Sequence, residues 1–157
     1  VCVQGDEPLL GPDMLEAVIQ PFFDDADVEG TLLSVPIPDE ETFLNPDMVK
    51  LVHDLKGNVL FTSRAPIPYA KKFSADIGAK RVGGIFGFRW HFLKWFTGLA
   101  ESPLEIAEAC DSNRIYDNGR RQRIAPAPFR PYLSVDSPED VARVEAVMAD
   151  DPYWGKY

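Results

Sequence analysis

Val1-Cys2-Val3-Gln4-Gly5-Asp6-Glu7-Pro8-Leu9-Leu10 opens the chain, and Ser134-Val135-Asp136-Ser137-Pro138-Glu139-Asp140 stands near its other end. Each reads as a short apolar strand that delivers an aspartate, Asp6 or Asp136, at its carboxyl end. In an open α/β sheet that edge is where ligands bind. Two carboxylates from separate strands can share a hard cation, and Mg2+ on phosphate oxygens takes one or two carboxylates. The pair points to metal-dependent transfer of a nucleotide.

Working outward, Val1–Val3 predicts a buried strand ending at Gly5. Pro12-Asp13-Met14-Leu15 predicts a helix start, because proline and an acid suit the first turn. Met14, Leu15, Val18 and Ile19 supply its buried stripe. Thr31–Pro36 reads as a second strand and Asp39–Leu44 as a short helical excursion. Val49–Asp54 and Val59–Ser63 flank Leu55-Lys56-Gly57-Asn58, a hairpin signal. Arg81–Phe88 reads as a glycine-spaced strand and Trp90–Thr97 as an aromatic-rich helix. Leu104–Cys110 predicts another helix, Arg121–Ala125 and Leu133–Val135 the last strands, and Pro138–Met148 the last helix, capped by Ser137. Strands alternating with helices predict an α/β fold with a mostly parallel sheet and helices on both faces. The hairpin adds an antiparallel element.

The bulk composition excludes several classes. The 157 residues are 45% hydrophobic and 26% charged, ordinary for one globular domain spanning residues 1–157. A formal charge of -9 argues against nucleic acid as a partner, since neutralising phosphates needs a basic surface. No run is apolar enough to span a membrane and no leader is visible, so the expected location is cytoplasmic. Cys2 and Cys110 make neither a disulfide framework nor a zinc spacing. His53 and His91 have no second histidine at ligand spacing. The chain starts inside an apparent strand and reads as the later part of a longer polypeptide.

Several blocks carry a family resemblance. They are Gln4-Gly5-Asp6-Glu7-Pro8-Leu9, Gly57-Asn58 before Ser63-Arg64-Ala65-Pro66-Ile67-Pro68, Gly84-Ile85-Phe86-Gly87-Phe88-Arg89, Ser102-Pro103-Leu104-Glu105, and Val135-Asp136-Ser137-Pro138-Glu139-Asp140. In this order and at this spacing the chain resembles the CMP-KDO synthetases, the 3-deoxy-manno-octulosonate cytidylyltransferases. The resemblance covers nearly the whole chain and places it in the carboxyl-terminal two-thirds of such a domain. It implies a nucleotidyltransferase-like α/β sandwich with a dimerisation hairpin, and hence a homodimer. It implies an enzyme that joins CTP to an eight-carbon acidic sugar, releases pyrophosphate and serves lipopolysaccharide or surface polysaccharide synthesis.

By the same resemblance Asp6 and Asp136 hold Mg2+ while the sugar's anomeric hydroxyl attacks the α-phosphate. Gln4 offers a neutral donor and acceptor to a sugar hydroxyl. The flat fork of Arg64 suits a sugar carboxylate or a phosphate. Asp111 takes the place of a family glutamate near the sugar, and Arg114 reaches either the substrate or the preceding helix. Arg89 is expected to be structural.

The chain also departs from the family pattern. It has no counterpart of the amino-terminal loop that cradles the CTP phosphates. Val82 stands where the family has a histidine, and Asp111-Ser112 replaces a Glu-Gln pair, so a neighbouring 3-deoxy or amino-substituted sugar acid is an alternative substrate. An alternative from another class is a non-catalytic module that binds a sugar acid or a partner chain without transfer. The phosphate cradle is the feature that discriminates the two.

Overall fold

A computed structural model describes residues 1–129, 134–135, 138–153 and 155. Strand β1 (Cys2–Val3) leads to helices α1 (Pro12–Ile19) and α2 (Pro21–Asp24). Strand β2 (Gly30–Pro36), helix α3 (Glu40–Leu44) and the hairpin β3 (Lys50–His53) and β4 (Val59–Ser63) follow. A single 3-10 turn, Ala75–Ile77, precedes the long strand β5 (Lys80–Phe88). Helices α4 (Trp90–Thr97), α5 (Pro103–Glu108) and α6 (Ser112–Asp117), strand β6 (Arg123–Pro126) and helix α7 (Pro138–Met148) complete the order.

The sheet runs β4-β3-β5-β2-β6, with β1 also paired to β5. Helices do lie on both faces. Leu33, Val35 and Ile85 pack with Met14 and Val18 of α1 on one side. Leu32, Leu51 and Phe86 pack with Phe92 of α4 and Ile115 and Tyr116 of α6 on the other. Adjacent Leu32 and Leu33 serve opposite faces because strand side chains alternate. With both faces covered, β2 is buried from Gly30 through Val35.

The mostly parallel sheet is corrected. Among the described residues only β2 and β6 pair in parallel; the β1–β5, β2–β5, β3–β4 and β3–β5 pairs are antiparallel. Strands β1, β2, β3 and β6 do share one direction, as alternation with helices suggests. Strand β5 runs the other way and inserts among them, so most neighbours become antiparallel. The expected hairpin forms, and Gly57 takes φ +81 in its turn. It does not stand apart, because β3 continues the main sheet through Lys50↔Arg81 and Leu51↔Lys80. Of the expected last strand, Leu133 lies outside the described residues, and Ser134 and Val135 are not in regular structure.

One edge of β5 is shared. Its first residues, Lys80 and Arg81, pair with β3, whereas Ile85 and Phe86 pair with β1. The register on the other edge slips in between, where Leu32 faces Phe86 but Ser34 faces Val82. Such a bulge bends a strand and re-aims its side chains. It also separates β3 from β1, and a cleft opens in that gap. No described helix is long and apolar enough to cross a membrane.

Candidate functional site

Strand β1 ends in a tight turn in which the Glu7 N–H donates to the Gln4 carbonyl at 3.3 Å. Asp6 sits within that turn, and its Oδ1 is buried with no hydrogen-bond partner among the described residues. Buried carboxylate oxygens are normally satisfied, so an orphan of this kind suits a cation. Asp136 and Ser137 lie outside the described residues. Val135, the residue before Asp136, donates its N–H to the Asp6 carbonyl at 2.9 Å. The described residues contain no cluster of three or more His, Cys, Asp or Glu suited to a metal.

Beside this turn lies a cleft of about 590 Å³. Gln4 from the end of β1, Val82 and Phe86 from β5, and Val49 before β3 contribute to it. The opposite wall comes from α5 and the turn into α6, with Glu101, Ile106, Ala109, Cys110, Asp111 and Ser112. Val82 and Asp111-Ser112, singled out in the sequence for the sugar side, therefore share one cavity. A wall carrying polar groups across from an apolar floor can seat a small polyol, with hydroxyls toward the wall and carbons toward the floor.

Arg64 reaches this cleft, but its fork is not turned to an incoming anion. Nε donates to the Glu108 carbonyl at 3.1 Å, Nη2 to that of Ala109 at 3.3 Å and Nη1 to that of Pro46 at 3.0 Å. The first two belong to the end of α5, where helix carbonyls lack partners and carry partial negative charge. Glu108 completes the joint by accepting from the Ser63 hydroxyl and the Arg64 N–H, each at 3.0 Å. Arg64 thus builds the cleft wall. The wall needs this support, because Ala109 ends α5 in the left-handed region at φ 48, ψ 50.

Arg114 turns to the preceding helix, one of its two expected partners. Its Nε donates to Glu105 Oε2 at 2.7 Å and its Nη2 to Oε1. Its guanidinium lies 5.2 Å from the centre of the Phe96 ring. Glu105 also accepts from the Ser102 N–H, closing a capping box at the start of α5. The Arg114 bonds and the Ser102 N–H hold the Glu105 carboxyl below its ordinary range against an opposing cost of burial. Its contribution is therefore present above the unfolded-state pKa and fades as pH falls through the lowered folded one. Glu105→Gln will melt roughly 5 °C or more below the parent at neutral pH, and the gap will narrow as pH falls below the ordinary carboxylate range. Equal melting points at neutral pH would refute this.

Arg89 is structural as expected, donating to the Val28 carbonyl at 2.8 Å and to that of Phe22 at 3.0 Å. Burial pushes the Cys110 thiol up, which leaves it a neutral wall residue rather than a nucleophile. His91 contacts Glu29 and His53 contacts the Asp54 carbonyl, both away from the cleft. Sequence reading missed Val49, Phe86, Glu101, Ile106 and Ala109 as cleft residues. Phe86 lay inside a recognised block; the others carry no local signal.

The cytidylyltransferase family model matches residues 1–124. A 3-deoxy-manno-octulosonate cytidylyltransferase of Syntrophotalea carbinolica is 39% identical over 154 residues, covering 93% of this chain and 61% of the relative. One from Chloroherpeton thalassium is 37% identical over 149 residues, covering 94% of this chain and 60% of its own length. The solved structure of a CMP:2-keto-3-deoxy-manno-octonic acid synthetase complexed with CTP superposes with a TM-score of 0.84 at 29% identity. That match covers 94% of this chain and 60% of that one. The chain thus spans about three-fifths of the length of the curated relatives it matches. By family model, by identity to these relatives and by its sheet, the chain belongs to the cytidylyltransferase family.

Proposed function

We propose that the protein carrying this chain couples CTP to 3-deoxy-manno-octulosonate or a close sugar-acid relative, for lipopolysaccharide or surface polysaccharide synthesis. The observation that carries this is the buried Asp6 Oδ1 in the turn after β1, without a hydrogen-bond partner among the described residues, beside a cleft that gathers Gln4, Val82 and Asp111. The names of the related proteins support the nucleotide and the sugar class.

In this reading the cleft holds the sugar acid. Gln4 and Asp111 meet its hydroxyls, and Val82 and Phe86 meet its carbons. The anomeric oxygen bonds to the α-phosphorus of CTP, the bond from that phosphorus to the bridging oxygen breaks, and pyrophosphate leaves. Such displacement depends on positioning and charge neutralisation more than on covalent help. Asp6 fits Mg2+ as a hard oxygen donor, with Asp136 as its partner. When bound there, such an ion would supply charge neutralisation to the phosphate and acidify the attacking hydroxyl. Arg64 and Arg114 hold the wall rather than the substrate. The protein works as a cytoplasmic homodimer, which sedimentation of the full chain tests.

Pyrophosphate release will be measured with the full chain, CTP, Mg2+ and a panel of acidic sugars. Release with one 3-deoxy sugar acid, accompanied by the CMP-sugar, is expected. A folded protein that releases none with any sugar would overturn transfer and leave the binding-module alternative standing.

A further inference from the structure

Two hydrogen bonds join the Asp6–Glu7 turn to residues near the other end of the chain. The Val135 N–H donates to the Asp6 carbonyl at 2.9 Å. The Ser134 hydroxyl donates to Glu7 Oε1 at 2.9 Å, spanning 127 positions of sequence. The Glu7 side chain is itself seated in a particular way. It folds over Gly84 of β5, where a Cβ would stand 2.5 Å from Oε1 and 2.9 Å from Cγ and Cδ. Gly84 takes φ +70, within the stretch where the β2–β5 register slips. A glycine there meets both demands, a left-handed backbone and an open face.

We propose that Glu7 is a positioning residue of the Asp6 site, acting through Ser134 and seated by Gly84. It docks residues 134–135, which lead into Asp136, against the turn that carries Asp6. Its role is to accept the Ser134 hydroxyl, and the acceptor oxygen rather than the negative charge is what matters. The inference rests on the proposed function, in which Asp6 holds a divalent cation. Partners one shell out from a metal ligand set its orientation, and their loss typically costs about 10–100-fold in metal affinity.

The test uses the full chain with Mn2+ as probe, its binding read by electron paramagnetic resonance, alongside the Mg2+ concentration giving half-maximal pyrophosphate release. Ser134→Ala and Glu7→Ala will each weaken Mn2+ binding and raise the Mg2+ requirement about tenfold. The KM for the sugar and kcat at saturating Mg2+ will stay within about twofold, as expected when only the metal response is disturbed. Glu7→Gln keeps an acceptor oxygen and will stay near the parent, whereas a directly ligating glutamate would lose as much on changing to Gln as to Ala. The Ser134→Ala, Glu7→Ala double variant will bind Mn2+ no worse than Glu7→Ala alone, because the bond to Ser134 is already lost there.

Melting curves accompany every variant. Loss of thermal stability with unchanged Mn2+ affinity would overturn the proposal in favour of a purely structural bond. Asp6→Asn separates the two readings. If it leaves Mn2+ binding intact, the metal site itself fails. If it abolishes binding while Ser134→Ala and Glu7→Ala do not weaken it, the positioning role fails alone.

Discussion

Asp6→Asn will lower pyrophosphate release from CTP about 10³-fold at saturating substrates, with thermal unfolding unchanged or shifted upward. A carboxylate that neutralises phosphate charge through a cation contributes roughly 4 kcal/mol to the transition state, and each 1.36 kcal/mol is tenfold in rate. The stability side has the opposite sign. Asp6 Oδ1 is buried and has no hydrogen-bond partner among the described residues. An oxygen buried without a partner costs folding free energy, and replacing its carboxylate removes no hydrogen bond of that oxygen. A large loss of rate without loss of fold is the signature of a residue kept for chemistry. Release within tenfold of the parent would remove Asp6 from the mechanism.

Lys50→Ala will cost about 3 kcal/mol of folding stability, a large share of the roughly 5–15 kcal/mol a domain has. Lys50 is fully buried, and its Nζ donates to the Asn45 carbonyl at 2.7 Å and the Arg64 carbonyl at 2.5 Å. The ammonium thus joins the loop before β3 to the Arg64 segment that braces the cleft wall. Alanine leaves a cavity and two carbonyls without their donor, whereas Lys50→Met fills the space and leaves only the carbonyls. Methionine will therefore cost less.

Burial, and secondarily the Arg64 charge, hold the Lys50 ammonium below its ordinary value of 10.5. Between the lowered folded pKa and the ordinary one, the unfolded chain binds the proton that the folded chain releases. Stability from this group therefore rises with pH across that window. The neutral amine still has two N–H groups for its two carbonyls. Urea unfolding at pH 7 and about pH 10 will show the parent pulling away from Lys50→Met as pH rises. A cost below about 1 kcal/mol for Lys50→Ala, which matches an exposed lysine rather than a buried one, would refute the structural role.

The elements that sequence reading placed well are those whose signals are local. Pro12 opens α1 and Gly57 turns the hairpin; each depends on neighbours within a few residues. The start of α4 at Trp90 and its end at Thr97 fall where the aromatic run predicts them. Strand direction was harder to read. Nothing local in Lys80–Phe88 says that it runs against its neighbours, since a buried strand has the same apolar pattern whichever way it points.

The site divides along the same line. Asp6 is recognisable because a strand ending in an acid is a local pattern, and its block recurs in a family. The fates of Arg64 and Arg114 are not local. Both carry a fork equally suited to a substrate anion or to a protein acceptor. Which it meets depends on whether a helix end or a carboxylate has been folded within reach. Here the end of α5 takes Arg64, and Glu105 takes Arg114.

The amino-acid sequence by itself determined the family, the α/β class, the positions of most helices and strands, and the aspartate at the end of β1. The elements follow from side-chain periodicity and turn chemistry, and the family from short blocks that resemble its members; none needs a distant partner to be read. Only the tertiary structure decided that β5 inserts in reverse, that β3 and β1 part along its edge to open the cleft, and that Val82 meets Asp111 there. It alone decided that Glu7 would reach Ser134 across Gly84. These outcomes turn on competition among distant hydrogen-bonding groups and on which backbone leaves room for which side chain, and both exist only once the chain is packed.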